Sequence, residues 1–368
     1  DLATIFYTSG TTGSSKGAAG THRNIATNLV NIPFRTSRAA VRRGAPVPPP
    51  PSGAPRVQLL PLPFFHVTGF HSALAPALAN GGTLVLMHRW DVERALDLIE
   101  AERVNALTLV PSQAVQLVDS PSLEHRNLAS VDAVGYGGAA AAPWLASRVS
   151  ALFPKAVPGQ GYGATETSSL VAANSAEDML ARPDSVGVVV PCCDVKIIRE
   201  DGQGAAPGEP GELWVSGPNI VRGYWSLPEA TAEVFVDGWY RTGDIGIVDA
   251  EGFITLLDRA KDMLIRGGEN IYCAEIEAAL AAHPAVAEVA VIGVPDPILG
   301  EVVGAVLRLQ PGQAVSANEI VLSAATELAV HKRPVVVHVR EAPFPRNAAG
   351  KILKRELKPE LLAASKAV

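Results

Sequence analysis

Through the first half of the chain, short apolar runs alternate with stretches whose apolar residues recur at helical spacing. Leu2–Tyr7, Arg56–Leu60, Thr83–Met87, Ala106–Val110 and Val131–Tyr136 read as strands. Between them, Thr21 predicts the N-cap of a helix running to about Phe34, and Phe64–Ala79 a second helix. Asp91–Arg103 carries Val92, Ala95, Leu96 and Ile99 on one helical face. This alternation predicts parallel sheets flanked by helices. Arg38 to Arg56, rich in Pro, Gly and Ala, reads as a surface loop.

After Val186 the texture changes. Val195–Arg199, Glu212–Ser216, Gly246–Asp249 and Phe253–Leu257 are brief β-like runs separated by Gly and Pro turns, which predicts a small, largely antiparallel β subdomain over about 186–257. Past Asp258 a compact α+β pattern follows: Ile271–Ala281 helix, Val286–Val294 and Val302–Leu309 strands, Ala317–Leu328 helix, Val335–Val339 strand, and a helical tail from Lys351. The expected fold class is α/β, with a domain at 1–257 and a small α+β C-terminal domain at 258–368.

At 368 residues, 48% apolar and 18% charged, the chain can bury a large interior. Its net charge of −6 offers no electrostatic footprint for nucleic acid. The most apolar stretch, Ser72 to Met87, is broken by Pro76, Asn80, Gly81 and Gly82 and is too short to span a bilayer. Cys192, Cys193 and Cys273 lack metal spacing and read as reduced thiols, which points to a cytoplasmic protein.

Chemistry concentrates first in Thr8-Ser9-Gly10-Thr11-Thr12-Gly13-Ser14-Ser15-Lys16-Gly17. An apolar strand leads into it and a helix-like segment follows, a strand–loop–helix layout suited to cradling phosphate. Glycines let backbone N–H groups turn toward an anion, and hydroxyls with Lys16 add donors and charge. Lys16 precedes a glycine instead of following one, so this is not a Walker A loop, and G-x-G-x-x-G is absent. Further on, Gly161, Tyr162, Gly163, Thr165 and Glu166 combine a flat aromatic face, small neighbours, a hydroxyl donor and a hard oxygen ligand. Mg²⁺ needs few carboxylates when phosphate oxygens complete its shell.

The first loop resembles the signature phosphate loop of the adenylate-forming superfamily, which includes acyl-CoA synthetases, peptide-synthetase adenylation domains and luciferases. Ser15 stands where most members have proline. The remaining motifs fall in family order, and the resemblance covers essentially the whole chain. It implies ATP bound by the Thr8–Lys16 loop, adenine against Gly137-Gly138-Ala139 and Tyr162, ribose held by Asp244 and reached by Arg259, and Mg²⁺ on Glu166 with Thr8. It implies His66, in Pro63-Phe64-Phe65-His66-Val67-Thr68-Gly69, as the gate of the acid's carboxylate, and Lys351 as the catalytic lysine. That first motif lacks the Asp that would pair with an α-ammonium, which favours an acid without an amino group. Asp258 matches the family's hinge, about which the C-terminal domain rotates, and Gly267-Gly268 the pantetheine tunnel. Ala348 replaces the more usual threonine, and His331 a frequent tyrosine. Val110-Pro111-Ser112 and Ala164 suggest an apolar acid pocket.

The activity implied is an ATP-dependent carboxylic acid–CoA ligase acting through an acyl-adenylate on a fatty or other apolar acid. Its partners are then ATP, CoA and a small carboxylic acid, with Mg²⁺ as cofactor; homo-oligomerisation stays open. Loading of a carrier protein, a luciferase-like oxygenase and a nucleotide-binding module without catalysis are the alternatives. Family members carry a long segment ahead of the signature loop, so a preceding segment is expected before Asp1.

Overall fold

The computed structural model describes residues 1–8, 15–47, 56–138, 141, 144–347 and 351–365. They form two compact units, one of residues 1–242 and 246–256, the other of residues 243–245 and 257–368.

In the first unit, strands Thr83–Leu86, Val57–Leu60, Ala106–Leu109, Ala133–Gly137 and Val157–Ala164 lie side by side in that order, all parallel. Leu59, Leu107, Leu109, Val134 and Tyr136 point to one face and are at most 3% exposed. Helices Val92–Ala101, Pro111–Val118 and Trp144–Leu152 cover that face with Leu96, Ile99, Leu117, Leu145 and Val149. The order reverses between Val57–Leu60 and Ala106–Leu109: the chain leaves one to the left and returns on the right of it. Such a switch point opens a crevice at the carboxyl ends of the two strands.

From Val157–Ala164 onward the sheet turns antiparallel. Ser169–Ser175, Ser185–Val189, Phe253–Arg259, Trp239–Val248, Gly211–Ser216 and Asp194–Ile198 continue it. The predicted β subdomain is therefore the antiparallel wing of the same sheet; Val171, Ile197, Leu213 and Ile254 form its core.

Two sequence expectations are corrected here. Helix His22–Asn31 starts at Thr21 as expected, with Thr21 and Asn24 capping each other's backbone, but ends before Phe34. A separate helix, Phe34–Arg42, then occupies part of the segment read as a surface loop. Ala39 is buried there, and Arg38 and Arg42 both pair with Asp178. The loop composition proper begins at Gly44, and residues 48–55, with the proline run, lie outside the described residues. The second correction concerns the phosphate loop. Lys16–Thr21 is a strand, antiparallel to Leu2–Thr8 and closed by Thr8 opposite Lys16. A second strand therefore follows the motif, and the first helix begins only at His22. Lys-Gly-Ala-Ala-Gly-Thr has poor intrinsic β propensity; pairing on both sides imposes the strand.

The second unit is a five-stranded sheet in the order Glu269–Ile271, Leu264–Arg266, Gly300–Leu309, Val286–Asp296, with Val336–Val339 also on Gly300–Leu309. Helix Cys273–Ala281 packs on one side of it through Ile276 and Leu280, helix Lys354–Ser365 on the other through Leu357 and Leu361. Burial pushes the Cys193 and Cys273 thiols up to about 12. Among the described residues no helix is long and apolar enough to cross a membrane.

Candidate active site

The signature ribbon is clamped along its second strand. Residues 222–225 run antiparallel beside it: Ala19 N–H donates to the Gly223 carbonyl (2.9 Å), Arg222 N–H to Ala19 (3.2 Å) and Trp225 N–H to Gly17 (2.7 Å). Tyr224 is thereby held beside Lys16, whose ammonium lies 5.1 Å from the phenol ring centre. The Tyr224 hydroxyl donates to Glu166 Oε1 at 2.7 Å. Burial first, and the Glu166 charge second, push the phenol up, so it stays protonated and remains a donor. The contact spans 58 residues of sequence, and no local pattern announces it.

Glu166 is 7% exposed and sits in the turn Thr165–Ser168 between strands Val157–Ala164 and Ser169–Ser175. The turn is tied down on every side. Thr167 Oγ1 accepts from Ala164 N–H (2.8 Å), Asn219 Nδ2 donates to the Thr167 carbonyl (3.0 Å), and Val221 N–H donates to the Glu166 carbonyl (2.9 Å). Ser168 and Ser169 both have positive φ, 52° and 102°, strain that this network must hold in place. Among the described residues no three His, Cys, Asp or Glu converge as a metal site. A single rigid carboxylate, bonded to Tyr224, which also faces Lys16, nevertheless fits Mg²⁺, which takes most of its oxygens from nucleotide and water.

The glycines around this turn serve the fold more than close ligand approach. A Cβ on Gly163 would collide with the Ser169 carbonyl, one on Gly137 would lie 2.7 Å from the Gly161 carbonyl, and one on Gly161 2.9 Å from Leu170 Cδ1. Gly138 differs: its φ is +82° and among the described residues a Cβ there meets nothing within 4 Å. Gly163→Ala is therefore expected to cost about 3 kcal/mol or more, because the obstruction is backbone and cannot move aside. A urea denaturation midpoint close to that of the unaltered chain would refute this. Ser9, Gly10, Thr11, Thr12, Gly13 and Ala139 lie outside the described residues.

His66 follows strand Val57–Leu60, at the same carboxyl edge of the sheet where Val110-Pro111 follows the neighbouring parallel strand Ala106–Leu109. It N-caps the next helical turn, Nδ1 accepting from Thr68 N–H at 3.3 Å, and burial lowers its pKa, so the ring is neutral near pH 7. That leaves Nε2 free of capping duty. His71, a turn further on, is 1% exposed and bonds the Ser168 carbonyl through Nδ1 (3.1 Å), tying this helix to the Glu166 turn.

In the second unit Arg259 Nε is 2.7 Å from Asp244 Oδ1, so the two expected ribose contacts form an ion pair. Lys351 lies at the base of a turn in which Arg346 bridges Ile352, and Asn347 Oδ1 accepts from its N–H at 2.9 Å. Lys351 is exposed by surface, yet its ammonium is pushed down to about 8. Atoms crowding the charge are the first cause and Arg259 the second, with Asp262 opposing. Asp258 accepts from Arg259 N–H through Oδ1 (2.7 Å) and from Cys273 and Ala274 N–H through Oδ2, capping helix Cys273–Ala281 from outside it. Gly267 and Gly268, at φ +61° and +87°, form the two-residue turn between Leu264–Arg266 and Glu269–Ile271. That conformation favours glycine whatever passes over it.

Residues 1–225 match the AMP-binding enzyme family and residues 275–351 the AMP-binding enzyme C-terminal domain. The chain is 38% identical over 358 residues to a feruloyl-CoA synthase of Amycolatopsis sp, covering 97% of this chain and 70% of that one. It is 37% identical over 364 residues to a long-chain-fatty-acid–CoA ligase of Bacillus subtilis (strain 168), covering 98% and 62%. Among solved structures, the o-succinylbenzoate CoA synthetase of Bacillus subtilis in complex with its acyl-adenylate intermediate superposes with a TM-score of 0.84 at 35% identity, over 97% of this chain and 69% of that one. The same enzyme with ATP and a magnesium ion gives 0.83. Sequence order, sheet topology and the buried Glu166 turn agree with these matches, and the chain belongs to the AMP-binding, adenylate-forming enzymes, on their acid–CoA ligase branch.

Proposed function

We propose that this ATP-dependent acid–thiol ligase activates an acid with a flat, apolar body, aryl before fatty, and transfers the acyl group to CoA. The observation that carries the reading is the switch-point crevice. The face of the parallel strands turned away from the helical core bears Ala106 and Ala133, then Gly135 and Gly159, then Gly137 and Gly161. A floor of alanine and glycine stays low, with the Arg35 guanidinium over Gly135 and Gly159 and Leu170 over Gly161, and a low floor beside them suits a planar ring. Relatives named for feruloyl and long-chain fatty acyl products fit an apolar body of either kind.

The acid's carboxylate oxygen attacks the α-phosphorus of ATP, the bond from that phosphorus to the bridging oxygen breaks, and pyrophosphate leaves. Lys351 offsets charge that grows on the attacking and α-phosphoryl oxygens. Lys16 and the Thr8–Lys16 loop hold the departing phosphates. Glu166, with Thr8, would hold Mg²⁺, which when bound supplies charge neutralisation on the phosphate oxygens. Asp244 and Arg259 hold the ribose, Tyr162 and Gly138 the adenine, and His66 Nε2 the carboxylate. The C-terminal domain, residues 258–368, then turns about Asp258, and Gly267-Gly268 receives the pantetheine arm. The CoA sulfur attacks the carbonyl carbon, the acyl–oxygen bond breaks, AMP leaves and the thiol proton passes to solvent.

Because Lys351 must be a cation, adenylation should be constant below about pH 8 and fall above it as the amine deprotonates. Plotting kcat/KM for pyrophosphate release against pH checks this, and a rate that rises through pH 8 would contradict it. The function itself is tested by pyrophosphate release over a panel of aryl and fatty acids, with and without CoA. Acid-dependent release accelerated by CoA is expected. Release indifferent to CoA but accelerated by a phosphopantetheinylated carrier protein would replace CoA as acceptor.

A further inference from the structure

Arg35, on helix Phe34–Arg42, lies on that same sheet face. A Cβ on Gly159 would be 2.7 Å from its Nη1, and one on Gly135 3.2 Å from the same atom. The guanidinium therefore rests on the bare backbone of two neighbouring strands. Among the described residues it has no carboxylate partner and no side-chain hydrogen bond, whereas Arg38, Arg42 and Arg43 of the same helix region pair with Asp178 and Glu177. The charge that acts on it is another cation, Arg56, which is itself paired with Asp132. Burial, then Arg56, lowers its pKa. An arginine cannot shed its proton to escape such a site, and an unpaired enclosed cation is costly.

The surroundings are built to receive something. Strands this central are ordinarily covered on both faces. Here Gln58, Ala106 and Ala133, in register across the sheet, and Thr108, opposite Gly135, remain partly open to solvent. Gln58 Nε2 donates to Thr108 Oγ1 at 2.6 Å, fixing a polar wall next to Gly135. Gly135 and Gly159 lie two residues below Gly137 and Gly161, about 7 Å down the strands from their carboxyl ends. That is close to the length of one ring.

We propose that Arg35 reads the far end of the acid: a second carboxylate, carried away from the one being activated, pairs with its guanidinium over Gly135 and Gly159. A fork of donors on a flat floor suits bidentate pairing with a carboxylate in the plane of the ring. A neutral hydroxyl would accept a hydrogen bond but leave the charge uncompensated. The inference rests on the acid-crevice reading above and narrows it to aryl diacids.

The test compares phenylpropanoate with its para-hydroxy and para-carboxy forms. Binding is measured by titration calorimetry without ATP, and turnover by pyrophosphate release. The unaltered chain is expected to bind the para-carboxy acid at least about tenfold more tightly than phenylpropanoate, with a preference that weakens as salt rises. In Arg35→Met the loss for the para-carboxy acid should exceed the loss for phenylpropanoate by at least about tenfold, in Kd and in KM more than in kcat. Arg35→Lys should restore part of it, and guards against a methionine variant that does not fold. No preference in the unaltered chain, a stronger preference for the para-hydroxy form, or equal losses for all the acids in both variants would each overturn the proposal. A calorimetric preference that Arg35→Met removes, with no pyrophosphate from any acid, would leave Arg35 in place and sink the ligase reading instead.

Discussion

Lys351→Ala is expected to reduce adenylate formation by roughly a thousandfold while leaving thioester formation from a supplied acyl-adenylate nearly intact. The reason lies in when charge develops. During adenylation negative charge grows on the attacking and α-phosphoryl oxygens, and a cation placed there stabilises that moment more than the bound substrates. In the second step a neutral carbonyl is attacked and AMP, already formed, departs. Lys351 sits among Arg259, Lys261, Asp262 and Asp244, so its loss leaves Arg259 paired with Asp244 and the nucleotide contacts largely as they were. Two assays decide it: acid-dependent exchange of labelled pyrophosphate into ATP, and CoA ester formation from chemically prepared acyl-adenylate. Equal loss in both would deny Lys351 its separate role.

Glu166→Gln is the second large effect. The amide keeps the shape of the side chain and can still accept from the Tyr224 hydroxyl, so the turn should hold. What disappears is the charge. We expect adenylation to fall about a hundredfold and the Mg²⁺ concentration for half-maximal rate to rise at least about tenfold. Tyr224→Phe, which removes the donor that orients Glu166, should produce a smaller shift of the same kind, about tenfold. A Glu166→Gln variant with an unchanged Mg²⁺ requirement would remove Glu166 from the metal's coordination.

Much of this site is legible in the chain because its groups act from short segments. The Tyr162–Thr167 run, the Asp244 turn and the Asp258–Asp262 charge cluster each bring chemistry and backbone geometry together within a few residues, and the structure puts Glu166 in a fixed turn and Asp244 beside Arg259. What stayed hidden depends on distant pairing. Lys16–Thr21 looks like loop because alanine and glycine carry little strand signal; it becomes a strand between Leu2–Thr8 and residues 222–225. Helix Phe34–Arg42 was masked by the proline-rich run beyond it. Tyr224 and Arg35 gain their places from segments distant in sequence, the Glu166 turn and the Gly135 and Gly159 strands, which periodicity cannot foresee. Gly163 and Gly137 carry a further constraint that the sequence does not display: a Cβ on either would meet backbone of the adjacent strand.

That last distinction bears on how the sequence can drift. Selection for mere expression would hold Gly163, Gly137 and Gly187 almost fixed, since each answers to a neighbouring carbonyl of its own sheet. Gly138 meets no such obstacle among the described residues, and a left-handed turn there tolerates asparagine at modest cost. A library scored once for soluble yield and once for turnover would therefore sort these glycines into two populations, those that heredity keeps for the scaffold and those it keeps for the reaction.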